Sequence, residues 1–172
     1  VAGSVQPPRI DLANEDLVRA HVHAVWLAET GLALGKSLKE VLNLDGEQPS
    51  LELQVRVRDT LRATDAKRRA KARMTNILAT MADDLEKAGW YHHEWLDRTL
   101  ERVEERFDQA CLRWRELYRS AMKQWELQNK VISDASRSSK DKDLARRLRG
   151  EAEAQMELLI SSENLLQSDF YS

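Results

Sequence analysis

Cysteine occurs once, at Cys111, so no disulfide within the chain can staple the fold. Proline occurs three times, at Pro7, Pro8 and Pro49, and never beyond position 49. Glycine is limited to six positions and aromatic residues to 6% of the chain. No apolar run reaches the roughly 18 residues that a membrane helix needs, so no membrane span or membrane partner is expected. The opening residues VAGSVQPP lack the basic start and apolar centre of a secretory signal, and a cytoplasmic location is expected. Charge of one sign is missing too. The 27 Lys and Arg face 29 Asp and Glu, for a net of -2, which excludes a generally basic nucleic-acid coat but not a basic face. The first residue is Val rather than Met, so a piece cut from a longer chain is expected.

What remains is a chain of 172 residues, 42% hydrophobic and 33% charged, long enough to bury a core and too apolar to be disordered throughout. The stretch after position 50 is rich in Ala, Leu, Glu, Lys and Arg, and no ring interrupts its backbone hydrogen bonds. It therefore reads as helical. The spacing predicts a first helix after the cap residue Asn14, stopped by Gly31. Ser37 and Glu40 form a capping pattern for a short second helix, and NLDGEQPS at 43–50 is a loop. LELQVRV at 51–57 alternates strictly, with Leu51, Leu53, Val55 and Val57 on one side. It reads as a helical turn or extended connector, or as a strand without a partner in the chain.

A helix over 65–88 is expected to end near Gly89, with Ile77, Leu78, Met81 and Leu85 as its apolar side. A longer helix over 94–132 carries Leu96, Leu100, Val103, Phe107, Ala110, Trp114, Leu117, Ala121 and Trp125 at steps of four and three. Unbroken, it would span about 58 Å. After SDASRSSKDKD, a break, a final helix over 140–166 offers Leu144, Leu148, Ala152, Gln155 and Leu159. The two long helices are expected to fold back on each other. The fold class is thus all-α: an elongated helical domain with a long antiparallel hairpin and room for one short extended segment. Residues 1–62 form capped helices and a connector, and 63–172 the long-helix hairpin, together one accessory domain.

Chemistry is sparse. GLALGKSL at 31–38 contains GKS, but a phosphate loop ending there needs glycine where Thr30 stands. His21 and His23 lie about 200° apart on a helix and do not share a metal. His92, His93 and Glu94 can surround an anion or metal at a helix junction, or simply cap helices. No serine sits in a nucleophile turn, and the carboxylates of ERVEER and EAEAQME are those of solvated helices. No catalytic residue, cofactor-binding residue or metal ligand is assigned.

Basic charge is the strongest local signal. Residues 56–73 hold eight cations against two acids, and residues 137–149 hold six against two. The candidates for contact with a nucleic-acid backbone are Arg62, Lys67, Arg68, Arg69, Lys71, Arg73, Lys142, Arg146, Arg147 and Arg149. A solvated surface, or docking on an acidic protein, accounts for the same charges. Trp90 and Trp95 can stack on bases, but junction packing is the ordinary role of such residues.

Three stretches carry a resemblance: PPRIDLANEDLVRAHVHAVWLAETG at 7–31, WLDRTLERVEERF at 95–107 through KQWELQNK at 123–130, and ENLLQSDFYS at 163–172. Together they resemble the region after the motor domains of large bacterial DEAD/DEAH-box superfamily 2 helicase-like proteins, some of which act in DNA repair or anti-phage defence. The resemblance implies a non-catalytic accessory domain of an ATP-dependent DNA helicase-like parent. It would brace the motor lobes or contact the nucleic-acid backbone, with ATP and Mg²⁺ held by the motor domains and not by this segment. Asn14, Glu15, His21, His23, Trp26 and Glu29 match the first stretch without an assigned chemistry. The alternative is a helical protein–protein interaction module unrelated to helicases. An independent hydrolase would need paired acids in a pocket or a metal.

Overall fold

The computed structural model describes residues 14–32, 34, 37–161 and 169–171. Asn14 opens α1 (Glu15–Thr30), its Oδ1 accepting the amides of Asp16 at 2.9 Å and Leu17 at 3.4 Å. The Asn satisfies two amides that have no helical partner, and Glu15 and Asp16 sit where the helix end is positive. Gly31, at φ 68°, ends it in the left-handed conformation that glycine adopts without steric cost. Val18, Val22, Val25, Trp26 and Leu27 are buried as a broad apolar face.

The remaining helices are α2 (Val55–Leu61), α3 (Thr64–Ala79), α4 (Ala82–Ala88), α5 (Trp95–Glu101), α6 (Val103–Ala110), α7 (Leu112–Ser133) and α8 (Ser139–Ser161). The capping pattern at Ser37 produces only a 3₁₀ turn, Leu38–Glu40, with Ser37 Oγ accepting from the Lys39 amide. Among the described residues there is no strand, and the fold is all-α. The alternating LELQVRV segment divides. Leu53 forms an isolated antiparallel bridge with Leu42, and α2 begins at Val55. Helical rotation then turns Val55 outward, 68% exposed, while Leu51, Leu53 and Val57 stay buried. The extended partner was present in the chain after all, in the residues that follow the 3₁₀ turn.

Two compact units form, and neither is continuous in sequence. Among the described residues the first takes in 14–32, 59–106 and 170–171, and the second 34, 37–58, 107–161 and 169. Within the first unit α1 packs on α3 and α5 across a long stretch of chain. In the first unit α3 presents Ala66, Ala70, Met74 and Leu78 to the core. The expected helix over 65–88 is interrupted at Thr80 and Met81, whose amides bond to the carbonyls three residues back. Gly89, at φ 80°, closes α4 as expected.

The expected helix over 94–132 is also interrupted, at Arg102 and Cys111. Their amides reach Thr99 and Asp108 oxygens at 3.2 and 3.1 Å, the tighter three-residue step. An ideal helix drifts about 20° per heptad from a strict seven-residue stripe. Each tight step rotates the following residues forward and realigns the stripe. Leu96, Leu100, Val103, Phe107, Ala110, Trp114 and Ala121 are accordingly buried. Leu117 departs from the expectation, 38% exposed, with Tyr118 and Arg115 buried in its place.

In the second unit α7 and α8 pack against each other as the expected hairpin. The turn is built by Asp134, whose Oδ1 accepts from the Ser136 amide and hydroxyl, and by Ser138, whose Oγ accepts from the Asp141 amide. The packed stripe of α8 is Ala145, Ala152 and Leu159. Leu144 and Gln155 face solvent instead, and the small side chains of Ala145 and Ala152 are buried on the packed side. The last residues of the expected helix, 162–166, lie outside the described residues, as do most of 163–172 and the start of 7–31.

Candidate nucleic-acid interface

In the first unit Arg62 and the α3 cations named from the sequence each lie against an acid, two of the acids being shared. Lys67 Nζ lies 2.6 Å from Glu104, whose other oxygen is 3.8 Å from Arg62. Arg68 pairs with Asp65 at 2.8 Å and Lys71 with Asp97 at 2.8 Å. Arg69 and Arg73 both grip Glu29 at the end of α1, each at 2.9 Å, and Arg69 also donates to the Glu29 backbone oxygen at 3.0 Å. The hydrogen bonds from Arg73 and Arg69 hold the Glu29 carboxyl below the usual carboxylate range. An exposed pair such as Arg68–Asp65 is worth about 0–1 kcal/mol and exchanges partners readily. Glu29 differs: only 19% of its side chain is exposed, and two guanidinium groups converge on it. The row on α3 is therefore tied to α1, α5 and α6, and is not an open track of positive charge.

The second basic stretch belongs to the other unit. Arg146 pairs with Asp143 at 2.8 Å. Arg149 donates to Asn129 Oδ1 at 2.9 Å and lies 6.0 Å from the Trp125 ring centroid, while Trp125 Nε1 donates to Glu153. These contacts tie α8 to α7. Lys142 and Arg147 make no ion pair with another described residue.

The tryptophans mostly pack. Trp26, Trp95 and Trp114 are buried, and Trp90 and Tyr91 cluster with Trp95 at 5.1 and 6.1 Å. His93 is exposed beside Glu94 at 3.7 Å. No group of His, Cys, Asp and Glu able to hold a metal occurs among the described residues. Gly35 and Lys36 of the GKS segment lie outside them.

One constellation was not singled out from the sequence. Arg19 and His23 of α1, Arg98 of α5, Arg102 and Arg106 line a cavity of about 190 Å³ together with Glu15, His92, Trp95 and Thr99. Glu15 Oε1 is already occupied by Arg19 at 2.9 Å and by the Trp95 indole at 3.0 Å. His23 is 5% exposed, its Nδ1 lies 3.1 Å from the Phe170 carbonyl, and its ring stacks on Phe170 at 4.6 Å. Its Nε2 is buried and has no hydrogen-bond partner among the described residues. Burial, reinforced by Arg19 and Arg106 and opposed by the Phe170 bond, pushes the imidazole pKa down. The four-residue spacing of Arg98, Arg102 and Arg106 was visible in RTLERVEER. The acids Glu101, Glu104 and Glu105 between them flattened the local charge and hid it.

An apolar groove of about 370 Å³ also opens in the first unit, lined by Leu17, Ala24, Met74, Ile77, Met81 and Tyr171 among others. Among the described residues no helix is long and apolar enough to cross a membrane. Compared with known proteins, the chain matches no family model, no curated protein and no solved structure.

Proposed function

We propose that this chain is a non-catalytic helical accessory domain of an ATP-dependent DNA helicase-like protein, and that it braces the motor lobes. The helicase part of this reading rests on the three resembling stretches at 7–31, 95–130 and 163–172. The choice of bracing over strand guidance rests on one observation: every candidate cation from Arg62 to Arg73 is held on an acid of its own unit. Cations spent on internal pairs stiffen a helical body and leave little net charge for phosphates.

The test uses the full reading frame. A phosphate loop upstream in the same frame identifies the motor. In that full-length protein, removal of residues 14–171 is expected to lower DNA unwinding at least about tenfold at saturating DNA, a barrier change of about 1.4 kcal/mol. DNA affinity should change by less than about threefold, under 1 kcal/mol. A parallel loss of DNA affinity would favour strand contact over bracing. A frame without a motor would remove the helicase reading and leave the helical interaction module.

A further inference from the structure

We propose that the cavity between α1 and the α5–α6 segment is a binding site for a phosphate group. It draws on residues none of which was a candidate for backbone contact, and it stands whether or not the chain serves a helicase. Four guanidinium groups, from Arg19, Arg98, Arg102 and Arg106, border a space of about 190 Å³ that contains one carboxylate, Glu15. That carboxylate is already bonded, and Arg19 and Arg98 are balanced by acids at 2.8–2.9 Å. Arg102 and Arg106 have no acidic partner among the described residues, although acids crowd the same helix. Arg102 and Arg106 are solvent-exposed and add positive charge to the same edge of the cavity as Arg19 and Arg98.

His23 lines the same cavity, and its Nε2 has no hydrogen-bond partner among the described residues. A buried polar atom without a partner carries a free-energy cost, and native structures rarely leave one so. With Nδ1–H donating to the Phe170 carbonyl, Nε2 accepts a hydrogen bond while the ring is neutral and donates one when the ring is protonated. The forked donors of arginine match phosphate oxygens in pairs, and a phosphate has more oxygens to satisfy than a carboxylate. The volume is below the roughly 300 Å³ where pockets for whole small molecules begin, so it suits one phosphate group rather than a nucleotide.

Inorganic phosphate, titrated into the intact chain at constant ionic strength against chloride, is the probe. Arginine Nε–H resonances and the melting temperature are the readouts. Saturable binding is expected, weakened at least about fivefold, near 1 kcal/mol, in Arg102→Gln and in Arg106→Gln, and less than about twofold in Lys142→Gln. Without phosphate, both arginine variants should melt at or above the wild-type temperature, because each removes one of four neighbouring positive charges. A structural arginine would lower it. No saturation by about 20 mM, or equal weakening by Lys142→Gln, overturns the site. A 5′-phosphorylated oligonucleotide and its unphosphorylated twin distinguish the source. Tighter binding of the first assigns a strand terminus, equal binding assigns free phosphate, and both outcomes support the site.

Discussion

Arg115 shows how one residue can hold an otherwise unfavourable backbone. Leu51 is buried at φ 58°, a left-handed conformation that a branched side chain resists. Arg115, itself 8% exposed, donates from Nε to the Leu51 oxygen at 2.6 Å, from Nη1 to the Asp108 oxygen at 3.0 Å, and from Nη2 to the Asp108 carboxylate. Replacing Arg115 with Met keeps the stem and strips these donors. The expected loss is about 1–3 kcal/mol, measured by urea unfolding, while Leu117→Ala on the exposed side of α7 should change little. Cys111 is fully buried, and burial pushes its thiol up to about 12. It should resist alkylation at pH 8 in the folded chain and react at the rate of a free thiol only in denaturant. A native rate within about tenfold of the denatured one would contradict that burial. His23 has the opposite direction. Its folded pKa lies below the unfolded value near 6.5, so the unfolded chain takes up the proton first. The stability that this neutral histidine contributes is complete above about pH 6.5 and is lost as pH falls from there through the folded pKa. Unfolding followed from pH 7.5 to 5 should show that decline, and His23→Gln should flatten it.

At the scale of elements, local signals worked where the chain chemistry was strong. Asn14, Gly31 and Gly89 end their helices as their side chains, or lack of one, require. Asn14→Ala should cost about 1 kcal/mol by thermal unfolding, and Asn14→Ser should recover most of it. Apolar periodicity placed Trp114, Phe107 and Val103 in the core without any structure. It failed at Leu117 and Leu144, each one residue from a buried position, and at Gln155, which is exposed beside half-buried Met156. A single interruption such as that at Cys111 rotates a face by an amount that periodicity alone does not resolve. The alternating 51–57 segment failed at Val55 for a related reason, since helix initiation there changes the period from two to 3.6. The α7–α8 turn was legible as a break, but its Asp134 and Ser136 hydrogen bonds were not.

For the whole molecule, a net charge of -2 conceals an ordered pairing of opposite charges. If all ten candidate cations met phosphates, the logarithm of DNA affinity would fall with log salt at a slope near -9, at about 0.9 per contact. With the α3 row held internally, the chain alone should show a slope shallower than about -4 in a fluorescence titration against duplex DNA. A steep slope would show the internal pairs opening to phosphate. Charge counts along the sequence identified the two basic stretches but not their partners. Glu29 lies 40 and 44 positions from Arg69 and Arg73, and no local window joins them.

The amino-acid sequence by itself determined the helical class, the outer ends of the long helical stretches, the hairpin and the greater part of the core, because capping, proline placement and apolar spacing act over a few residues. Only the tertiary structure decided which charges are paired. That depends on acids brought in from distant helices, and on a buried histidine beside arginines whose own stretch reads as neutral.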